Sequence, residues 1–464
     1  MFSRRILVAA ATLAVLLMGS VPSAQAASPN DTFYAPTAPV TGLGQWGLRQ
    51  VNAEQAWNHG TGAGAVIGVI DTGVDLAHED LAAKLLPGRT FVQCGANGCG
   101  NGSYIPSDEP LAAPHHGTHV AGIAAAITNN GKGVAGVAPD AAVLPVNVFE
   151  GDGAYTDDLA YAINWAVAQG VDVINLSLGQ LPGLGQLGLR ALDQHRPMLD
   201  AALANANANG VVVVAAAGNE SSPLCDYPAW AEGILCVRAT TVDELPADYS
   251  NLPLKPDTLA VSAPGGGSAD YITRCGGGIV STVVTGMGDD FCGYAEASPG
   301  LAYGEMVGTS MAAPHVAGVA ALVAAHGCDR QATLDILTST SRHPLTGSRG
   351  TFTPDYGYGI VDAAAANAAA AANCGVQAAP LGAITGTVRD GTARTALAGA
   401  AVDCGVGSTT TTDTGSYSLT SVPAGTYTCV ATAAGYVDQA RQVTVADGAT
   451  ATADFRLQKA KRTR

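Results

Sequence analysis

The chain has 464 residues, of which 13% are charged, and its formal net charge at pH 7 is −16. An acidic surface favours solubility and argues against nucleic acid or an anionic membrane as a partner. Because only 13% of the residues are charged, the chain is not a disordered polyanion. It is long for one domain.

The first 26 residues predict a secretory signal peptide. Arg4 and Arg5 precede an apolar run over 6–18, and an A-x-A cleavage site follows at 24–26. The run is too short to span a membrane, and we expect no membrane span elsewhere. The arginine pair loosely resembles a twin-Arg signal, but general secretion is favoured. We therefore expect a secreted protein, extracellular or periplasmic, and removal of the two arginines with the signal peptide makes the net charge more negative.

A short apolar run over 65–70, AVIGVI, leads into Asp71-Thr72-Gly73. This pattern predicts a buried strand of a parallel sheet with a carboxylate at its C-terminal end. In open α/β sheets, binding sites lie outside the carboxyl ends of the strands. Asp71 is therefore a candidate site residue.

Three histidines lie in segment 115–122, HHGTHVAG, which leads into an Ala-rich buried helix. His116 is placed at the start of this helix. His119 lies three residues into the helix and is expected to pack in the core, whereas His115 precedes the motif and is expected to face solvent. His315, further along the chain, is expected to be structural.

Further strands are predicted over 143–149, 171–176 and 211–217. They alternate with a helix that starts near Thr156 and ends just before Gly170, and with a helix over 197–209. Alternating strands and helices favour an α/β class with a doubly wound parallel sheet.

Residues 308–318, GTSMAAPHVAG, form a polar turn with one serine that runs into an apolar helix. Pro314 is tolerated in the first turn of this helix because the first N–H groups lack intrahelical partners. Aligned backbone dipoles favour negative charge at the helix N-terminus. A serine nucleophile needs an adjacent base that is itself held by a third group. Ser310 is therefore the first candidate for chemistry.

These three segments, in the order Asp, His, Ser, resemble those of the subtilisin-like serine proteases, most closely the thermitase branch. The resemblance covers roughly residues 29–373. It implies a subtilisin-like α/β/α sandwich in which Asp71 orients the base, His116 is the general base and Ser310 is the nucleophile. The expected activity is that of a serine endopeptidase that hydrolyses peptide bonds of proteins through an acyl-enzyme intermediate.

The resemblance also implies which residues bind the substrate. Asn219 would point its amide into the oxyanion hole, together with the backbone N–H of Ser310. An extended peptide would pair with the edge that follows 171–176. The primary specificity pocket would be lined by uncharged residues, namely Ser177, Leu178, Gly179, Ala216, Ala217 and Gly218. We therefore expect broad specificity with a preference for apolar or aromatic residues before the scissile bond.

Calcium is the cofactor that the resemblance implies. Loop 127–134, ITNNGKGV, resembles the family's calcium loop, although Asn-Asn-Gly by itself favours only a turn. Calcium takes six to eight oxygen ligands. The implied ligands are the side chains of Asp31, Asp80 and Asn130 and the carbonyls of Ile127, Lys132 and Val134.

The sequence contains 10 cysteines, which favour disulfides in an exported chain. The simplest arrangement joins neighbours along the chain: Cys94–Cys99, Cys225–Cys236, Cys275–Cys292, Cys328–Cys374 and Cys404–Cys429. The sequence alone leaves this connectivity open.

The composition changes after Cys374. Short segments of alternating residues, such as 384–388 and 425–430, are separated by Gly/Pro turns and indicate a β-sandwich. The phrases at 412–417 and 422–427 resemble carboxypeptidase-regulatory-like domains. Two roles are equally compatible with this domain. One is an accessory that binds substrate or a surface, and the other is a module for stability or secretion.

The expected organisation is a signal peptide (1–26), a catalytic domain (28–375), a linker (376–381), a small all-β sandwich (382–458) and a basic tail (459–464). Because Asp31 follows the cleavage site almost directly, we expect no conventional N-terminal propeptide. The expected protein is a monomer that binds protein or peptide substrates.

Two other functions are compatible with parts of the sequence. A secreted binding protein on an inactive protease scaffold would typically lack a triad residue, and none is missing here. A non-proteolytic serine esterase would share the triad, but the peptide-binding edge at Ser177 argues against it. Activity on proteins compared with small esters separates these functions.

Overall fold

The structure is a computed structural model that describes residues 28–35, 44–105, 115–150, 153–179, 196–267, 277–288, 300, 302–374, 382–422, 425–446 and 449–460. The predicted signal peptide, the linker, the end of the basic tail and the Cys275–Cys292 pair lie outside the described residues. The chain divides into two compact units, Met1–Leu322 with Leu337–Asn367, and Val323–Ile336 with Ala368–Arg464.

The strands of the first unit are β1 (Val66–Asp71), β2 (Arg89–Thr90), β3 (Ala142–Asn147), β4 (Phe149–Glu150), β5 (Gly153–Ala154), β6 (Val173–Leu176), β7 (Val212–Ala216), β8 (Leu235–Thr240), β9 (Leu259–Pro264), β10 (Ile279–Thr282) and β11 (Tyr303–Met306). A parallel sheet contains seven of them in the order β2-β3-β1-β6-β7-β8-β9. The strands β4 and β5 form an antiparallel pair, as do β10 and β11.

The α-helices are α1 (Trp46–Gln50), α2 (Ala53–Ala56), α3 (His116–Ala125), α4 (Thr156–Ala168), α5 (Arg196–Ala208), α6 (Thr309–Ala324), α7 (Arg330–Thr340) and α8 (Ala363–Asn373). The predicted doubly wound α/β fold is confirmed, with the ends of the predicted elements shifted by one or two residues. Within the described ranges, no helix has both the length and the apolar character needed to cross a membrane.

The apolar runs form central strands because both of their faces are covered. All residues of β6 and β7 are buried, as is usual for strands inside a parallel sheet. Leucines and alanines of α4 and α5 pack in one core with side chains of these strands. Each fully buried aliphatic side chain contributes about 1.5–3 kcal/mol by leaving water.

The strand order places the polar ends of three strands at one edge of the sheet. Strand β1 pairs with β3 on one side and with β6 on the other, so the direction in which strands are added reverses there. A crevice opens at such a reversal, outside the carboxyl ends of the strands. Asp71 ends β1, Ser177 follows β6, and Asn219 lies shortly after β7.

The second unit contains the predicted all-β domain. Its strands are β12 (Gly382–Asp390), β13 (Ala401–Asp403), β14 (Ser408–Thr410), β15 (Ser416–Val422), β16 (Gly425–Thr432), β17 (Gln439–Val445), β18 (Thr450–Thr452) and β19 (Phe455–Leu457). One sheet has the order β14-β13-β16-β17, and the other has β15-β12-β18 with β19 also paired to β12. Apolar side chains of both sheets form a single core, so this part has the sandwich architecture that its alternating pattern predicts.

Disulfides join neighbouring cysteines within both units. The pairs Cys94–Cys99, Cys225–Cys236, Cys328–Cys374 and Cys404–Cys429 are present as predicted. Cys404 and Cys429 are both buried in the core of the sandwich.

Candidate active site

The start of α3 lies directly against the end of β1. Gly117 permits this approach, because a Cβ there would lie 2.3 Å from the carbonyl oxygen of Gly73. The backbone N–H of Gly117 donates to Thr72 Oγ1 at 3.0 Å. The two segments that the sequence analysis singled out are therefore held together by both packing and hydrogen bonding.

This contact places His116 beside Asp71. The Nδ1 atom of His116 lies 2.8 Å from Asp71 Oδ1, which also accepts the backbone N–H of Thr72 at 2.7 Å. The Asp71 side chain is fully buried, whereas the His116 side chain is 19% exposed. Because Nδ1 donates to the carboxylate, the neutral ring carries its lone pair on Nε2.

The electrostatics of this pair favour a basic imidazole. Burial by itself lowers the pKa of His116, but the charge of Asp71 and the hydrogen bond to it outweigh burial and raise the pKa. A higher pKa makes the neutral ring a stronger proton acceptor. His116 is therefore suited to take a proton from a neighbouring hydroxyl at pH values above its own pKa.

The three other histidines considered in the sequence, His115, His119 and His315, have different surroundings. His119 is fully buried with Nε2 2.9 Å from the carbonyl oxygen of Ile279, and burial lowers its pKa to about 3. His315 is also fully buried, and burial lowers its pKa to about 4. His115 does not simply face solvent as expected: it is half-buried, and burial followed by the charge of His116 lowers its pKa.

Ser310 lies in the first turn of α6 and is half-buried. Its hydroxyl donates to the carbonyl oxygen of Ser177 at 3.2 Å, and its own carbonyl accepts the Ser177 hydroxyl at 2.7 Å. The hydroxyl is thus engaged by the segment after β6, while His116 lines the same cleft. In structures without substrate, catalytic hydrogen bonds are often long and tighten when substrate binds.

Asn175 supports this arrangement, and the sequence analysis did not identify it. Its Nδ2 donates to Ser177 Oγ at 2.9 Å, so that Asn175, Ser177 and Ser310 form a chain of hydrogen bonds. Asn175 is fully buried in β6. A polar residue inside an otherwise apolar strand was the available signal, because such a group must find a partner.

Thr309 fixes the orientation of the Asn219 side chain. Asn219 Oδ1 accepts the backbone N–H of Thr309 at 2.9 Å and its hydroxyl at 3.0 Å. Because a backbone N–H can only donate, the oxygen of the carboxamide is identified and Nδ2 is the end that can donate to a ligand. Asn219 and Ser310 line the same cleft. Thr309 is a further residue that the sequence analysis did not identify.

The cleft has a volume of about 280 Å³. Its lining consists of Thr72, His116, Phe149, Ser177, Leu178, Gly179, Ala216, Gly218, Asn219, Glu220, Asp226, Thr309 and Ser310. Ala217 was expected among them but is fully buried in the core, because successive residues of an extended segment point to opposite sides.

Two carboxylates, Glu220 and Asp226, line the cleft where only uncharged residues were expected. Glu220 directly follows Asn219, so its position in sequence was a usable signal. A loop brings Asp226 into the wall of the cleft. The backbone N–H of Asp226 donates to the carbonyl oxygen of Ala217 at 2.7 Å. No local motif indicates that contact.

The expected calcium ligands lie close together. Burial first, and then the charge of Asp80, raise the pKa of Asp31 despite hydrogen bonds from Asn129 and Asn130. Asn130 Nδ2 donates to Asp80 Oδ1 at 2.6 Å. Two buried, mutually repelling carboxylates are a donor set that fits a hard cation.

The backbone of loop 127–134 adds possible oxygen ligands. None of the described residues donates a hydrogen bond to the carbonyls of Ile127, Lys132 and Val134. Across the described ranges, no group of three or more His, Cys, Asp or Glu side chains suited to a metal is found. A cation here would therefore rely on these carbonyls as well as on the two carboxylates.

Comparison with known proteins gives two family matches. The family model described as "Subtilase family" matches residues 62–359, and the model described as "Carboxypeptidase regulatory-like domain" matches residues 383–458. Among solved structures, one described as a protease from Pseudoalteromonas arctica has a TM-score of 0.58 and 34% sequence identity. The match covers 74% of this chain and 100% of that chain.

Several curated proteases are similar in sequence. The chain is 37% identical over 295 residues to thermitase of Thermoactinomyces vulgaris, a match that covers 63% of this chain and 87% of thermitase. It is 38% identical over 302 residues to the thermophilic serine proteinase of Bacillus sp. (strain AK1), with 65% of this chain and 60% of that protein covered. The match to the extracellular basic protease of Dichelobacter nodosus covers 56% of that protein, so the chain spans less than two thirds of these two relatives. Because the subtilase match spans more than half of its residues, the chain belongs to the subtilase family.

Proposed function

We propose that this protein is a serine endopeptidase in which Ser310 is the nucleophile, His116 the general base and Asp71 the orienting acid. The observation that carries the proposal is the 2.8 Å contact between His116 Nδ1 and Asp71 Oδ1 in the cleft that Ser310 lines. Family membership supports the same reaction class.

The reaction would follow from the positions of these groups. Ser310 Oγ attacks the carbonyl carbon of the scissile peptide bond while His116 Nε2 accepts the hydroxyl proton. The charge that develops on the carbonyl oxygen is met by Asn219 Nδ2 and by the backbone N–H of Ser310. His116 then returns the proton to the leaving amine, and water hydrolyses the acyl-enzyme by the same steps in reverse order.

The apolar part of the pocket wall supports the predicted broad specificity, whereas its two carboxylates do not support the predicted preference for apolar or aromatic side chains. Leu178 and Ala216 offer apolar surface, and Gly179 and Gly218 leave space between them. The segment Ser177–Gly179 is the proposed edge for an extended peptide. Glu220 and Asp226 add negative charge to a pocket that was expected to be neutral.

We also propose a structural calcium ion held by Asp31, Asp80 and Asn130 with the three loop carbonyls. When bound, the ion would supply positive charge to two buried carboxylates and fix loop 127–134. The repulsion between Asp31 and Asp80 and the unpartnered carbonyls of the described loop support this site.

The proposed organisation keeps the predicted boundaries, with a signal peptide at 1–26, a catalytic domain at 28–375 and a β-sandwich at 382–458 as an accessory. The family matches at 62–359 and 383–458 lie inside the last two ranges and support them. Secretion is supported by relatives that are named extracellular proteases.

Active-site labelling with a fluorophosphonate, followed by a casein assay, tests the function. We expect the full chain to be labelled and active, and Ser310→Ala to lose both properties while it stays folded. Ser348→Ala, which removes an exposed hydroxyl that pairs with Thr346, is the matched control and should behave as wild type. Labelling of Ser310→Ala would contradict the assignment. A folded wild-type chain without labelling would favour the inactive scaffold, and activity on small esters alone would favour the esterase.

Thermal unfolding with and without a chelator tests the calcium site. At calcium concentrations near 100 times the dissociation constant, a native-state ligand contributes about 2.7 kcal/mol. Chelation should therefore lower the Tm by about 5–10 °C, and calcium but not magnesium should restore it. Asp31→Asn should have a lower Tm that no longer responds to chelator. An unchanged wild-type Tm would contradict the site.

A further inference from the structure

A buried carboxylate lies in the wall of the proposed primary pocket. Asp226 is only 3% exposed, yet it lines the cleft. Its side chain lies between two glycines: a Cβ on Gly218 would be 2.6 Å from Asp226 Cγ, and a Cβ on Gly179 would be 3.1 Å from Asp226 Oδ2. Both glycines belong to the pocket lining. The carboxylate therefore reaches the pocket at the two positions where the wall has no side chain.

Only one oxygen of this carboxylate has a protein partner among the described residues. Asp226 Oδ1 accepts a hydrogen bond from Asn251 Nδ2 at 3.0 Å. The same carboxamide holds Glu220, whose Oε2 accepts from Nδ2 at 2.9 Å and whose N–H donates to Asn251 Oδ1 at 3.0 Å. Oδ2 of Asp226, beside Gly179, is left for water or a ligand, because a buried carboxylate oxygen needs a partner.

The charges around Asp226 do not neutralise it. Burial first, and then repulsion by Glu220, raise its pKa to about 7, while Asn251 lowers the pKa in part. Arg238 lies behind Asn251, where its Nε donates to the Asn251 carbonyl at 2.8 Å rather than to either acid. His116 also lines the cleft but is not among the groups that shift the pKa of Asp226. Two acids therefore face the pocket with no cation beside them among the described residues.

We propose that Asp226, with Glu220 beside it, makes the primary pocket select a cationic side chain, Lys or Arg, over an uncharged side chain of equal length before the scissile bond. This inference rests on the proposed endopeptidase function and names part of its substrate class. The apolar stem of the substrate side chain packs on Leu178 and Ala216, and its charged end reaches Asp226 Oδ2. Charge-assisted hydrogen bonds of this kind are about twice as strong as neutral ones.

The test compares two peptides that differ only at the residue before the scissile bond, lysine in one and norleucine in the other. At pH 8.5, where Asp226 is ionised, we expect kcat/KM to favour lysine by about 10–100-fold, the range for a hydrogen bond to a charged group. The ratio should shrink toward pH 6 as Asp226 is protonated. Protonation of His116 affects both peptides alike and cancels in the ratio.

Asp226→Asn keeps the shape of the side chain and an acceptor for Asn251, and it should bring the ratio close to 1. Asp200→Asn is the matched control, because Asp200 is an exposed carboxylate that accepts from the Tyr227 hydroxyl at 2.6 Å and does not line the cleft. It should leave the ratio unchanged. Cleavage of the norleucine peptide by Asp226→Asn reports that this variant is folded.

A competition assay on the wild-type chain covers the case in which Asp226→Asn does not fold. We expect n-butylammonium to inhibit cleavage of the norleucine peptide at least ten times more strongly than n-butanol at pH 8.5. Equal kcat/KM for the two peptides, or equal inhibition by the two compounds, would overturn the role of Asp226 and leave the endopeptidase intact. Failure to cleave either peptide together with failure of fluorophosphonate labelling would overturn the proposed function itself.

Discussion

Two buried aspartates belong to the proposed active site, Asp71 behind His116 and Asp226 in the wall of the cleft, and the two have opposite surroundings. Asp71 faces His116 at 2.8 Å, a group that becomes a cation when it accepts a proton. Asp226 faces Glu220, a second acid, and shares Asn251 with it. A carboxylate beside a base stabilises positive charge that arises during reaction, whereas a carboxylate beside another acid lacks a counter-charge. An aspartate can therefore stabilise a positively charged protein group in one place and a positively charged ligand in another.

Of the variants that test this comparison, the replacement of Asp71 is expected to have the largest effect on activity. Asp71→Asn should reduce kcat by about 10⁴-fold, because the imidazole loses the group that holds its tautomer. The carboxylate also raises the pKa of His116, so its removal should move the acid limb of the kcat/KM profile to lower pH. A pH series with the norleucine peptide measures both effects.

Asp226→Asn serves as the reference for that experiment. It removes the buried carboxylate that lines the cleft and should leave the acid limb with the norleucine peptide in place. If both variants shifted the acid limb of the kcat/KM profile equally, Asp71 and Asp226 would affect His116 alike. The contrast between the two aspartates would then be wrong.

An intermediate effect is expected at Asn219, which lines the same cleft. Asn219→Ala removes a donor to the developing oxyanion and should lower kcat by about 10²–10³-fold with little change in KM. Because the donor acts on the reacting carbonyl, lysine and norleucine peptides should lose the same factor. A loss in KM alone would indicate that Asn219 binds substrate without assisting the reaction.

The smallest effect is expected at Glu220. Glu220→Gln keeps an acceptor for Asn251 and removes a charge that raises the pKa of Asp226. Asp226 should then ionise at lower pH, so the preference for lysine should begin at lower pH while activity on norleucine stays within about twofold. The pH dependence of the peptide ratio measures this shift. A shift to higher pH would contradict the described repulsion between the two acids.

The places of the proposed catalytic residues on strands and helices were predictable, because each of these residues lies in a continuous segment. Asp71 and Asn219 follow apolar strand runs, and Ser310 lies in the first turn of an apolar helix, so each side chain is placed by its own element. The primary pocket was predicted less well. Ala216 and Ala217 were both assigned to the pocket, but alternation along the chain places only Ala216 there.

The sequence by itself determined the elements, the family and the residues at the ends of strands and helices, because hydrophobic periodicity and capping act over a few neighbouring residues. Tertiary structure decided which side chains meet across the cleft. Asp226 enters the pocket through a loop hydrogen bond to Ala217, and Asn251, a further 25 residues along the chain, links it to Glu220. Such contacts depend on how distant segments pack, and their electrostatic consequences exist only once burial has removed water from the carboxylates.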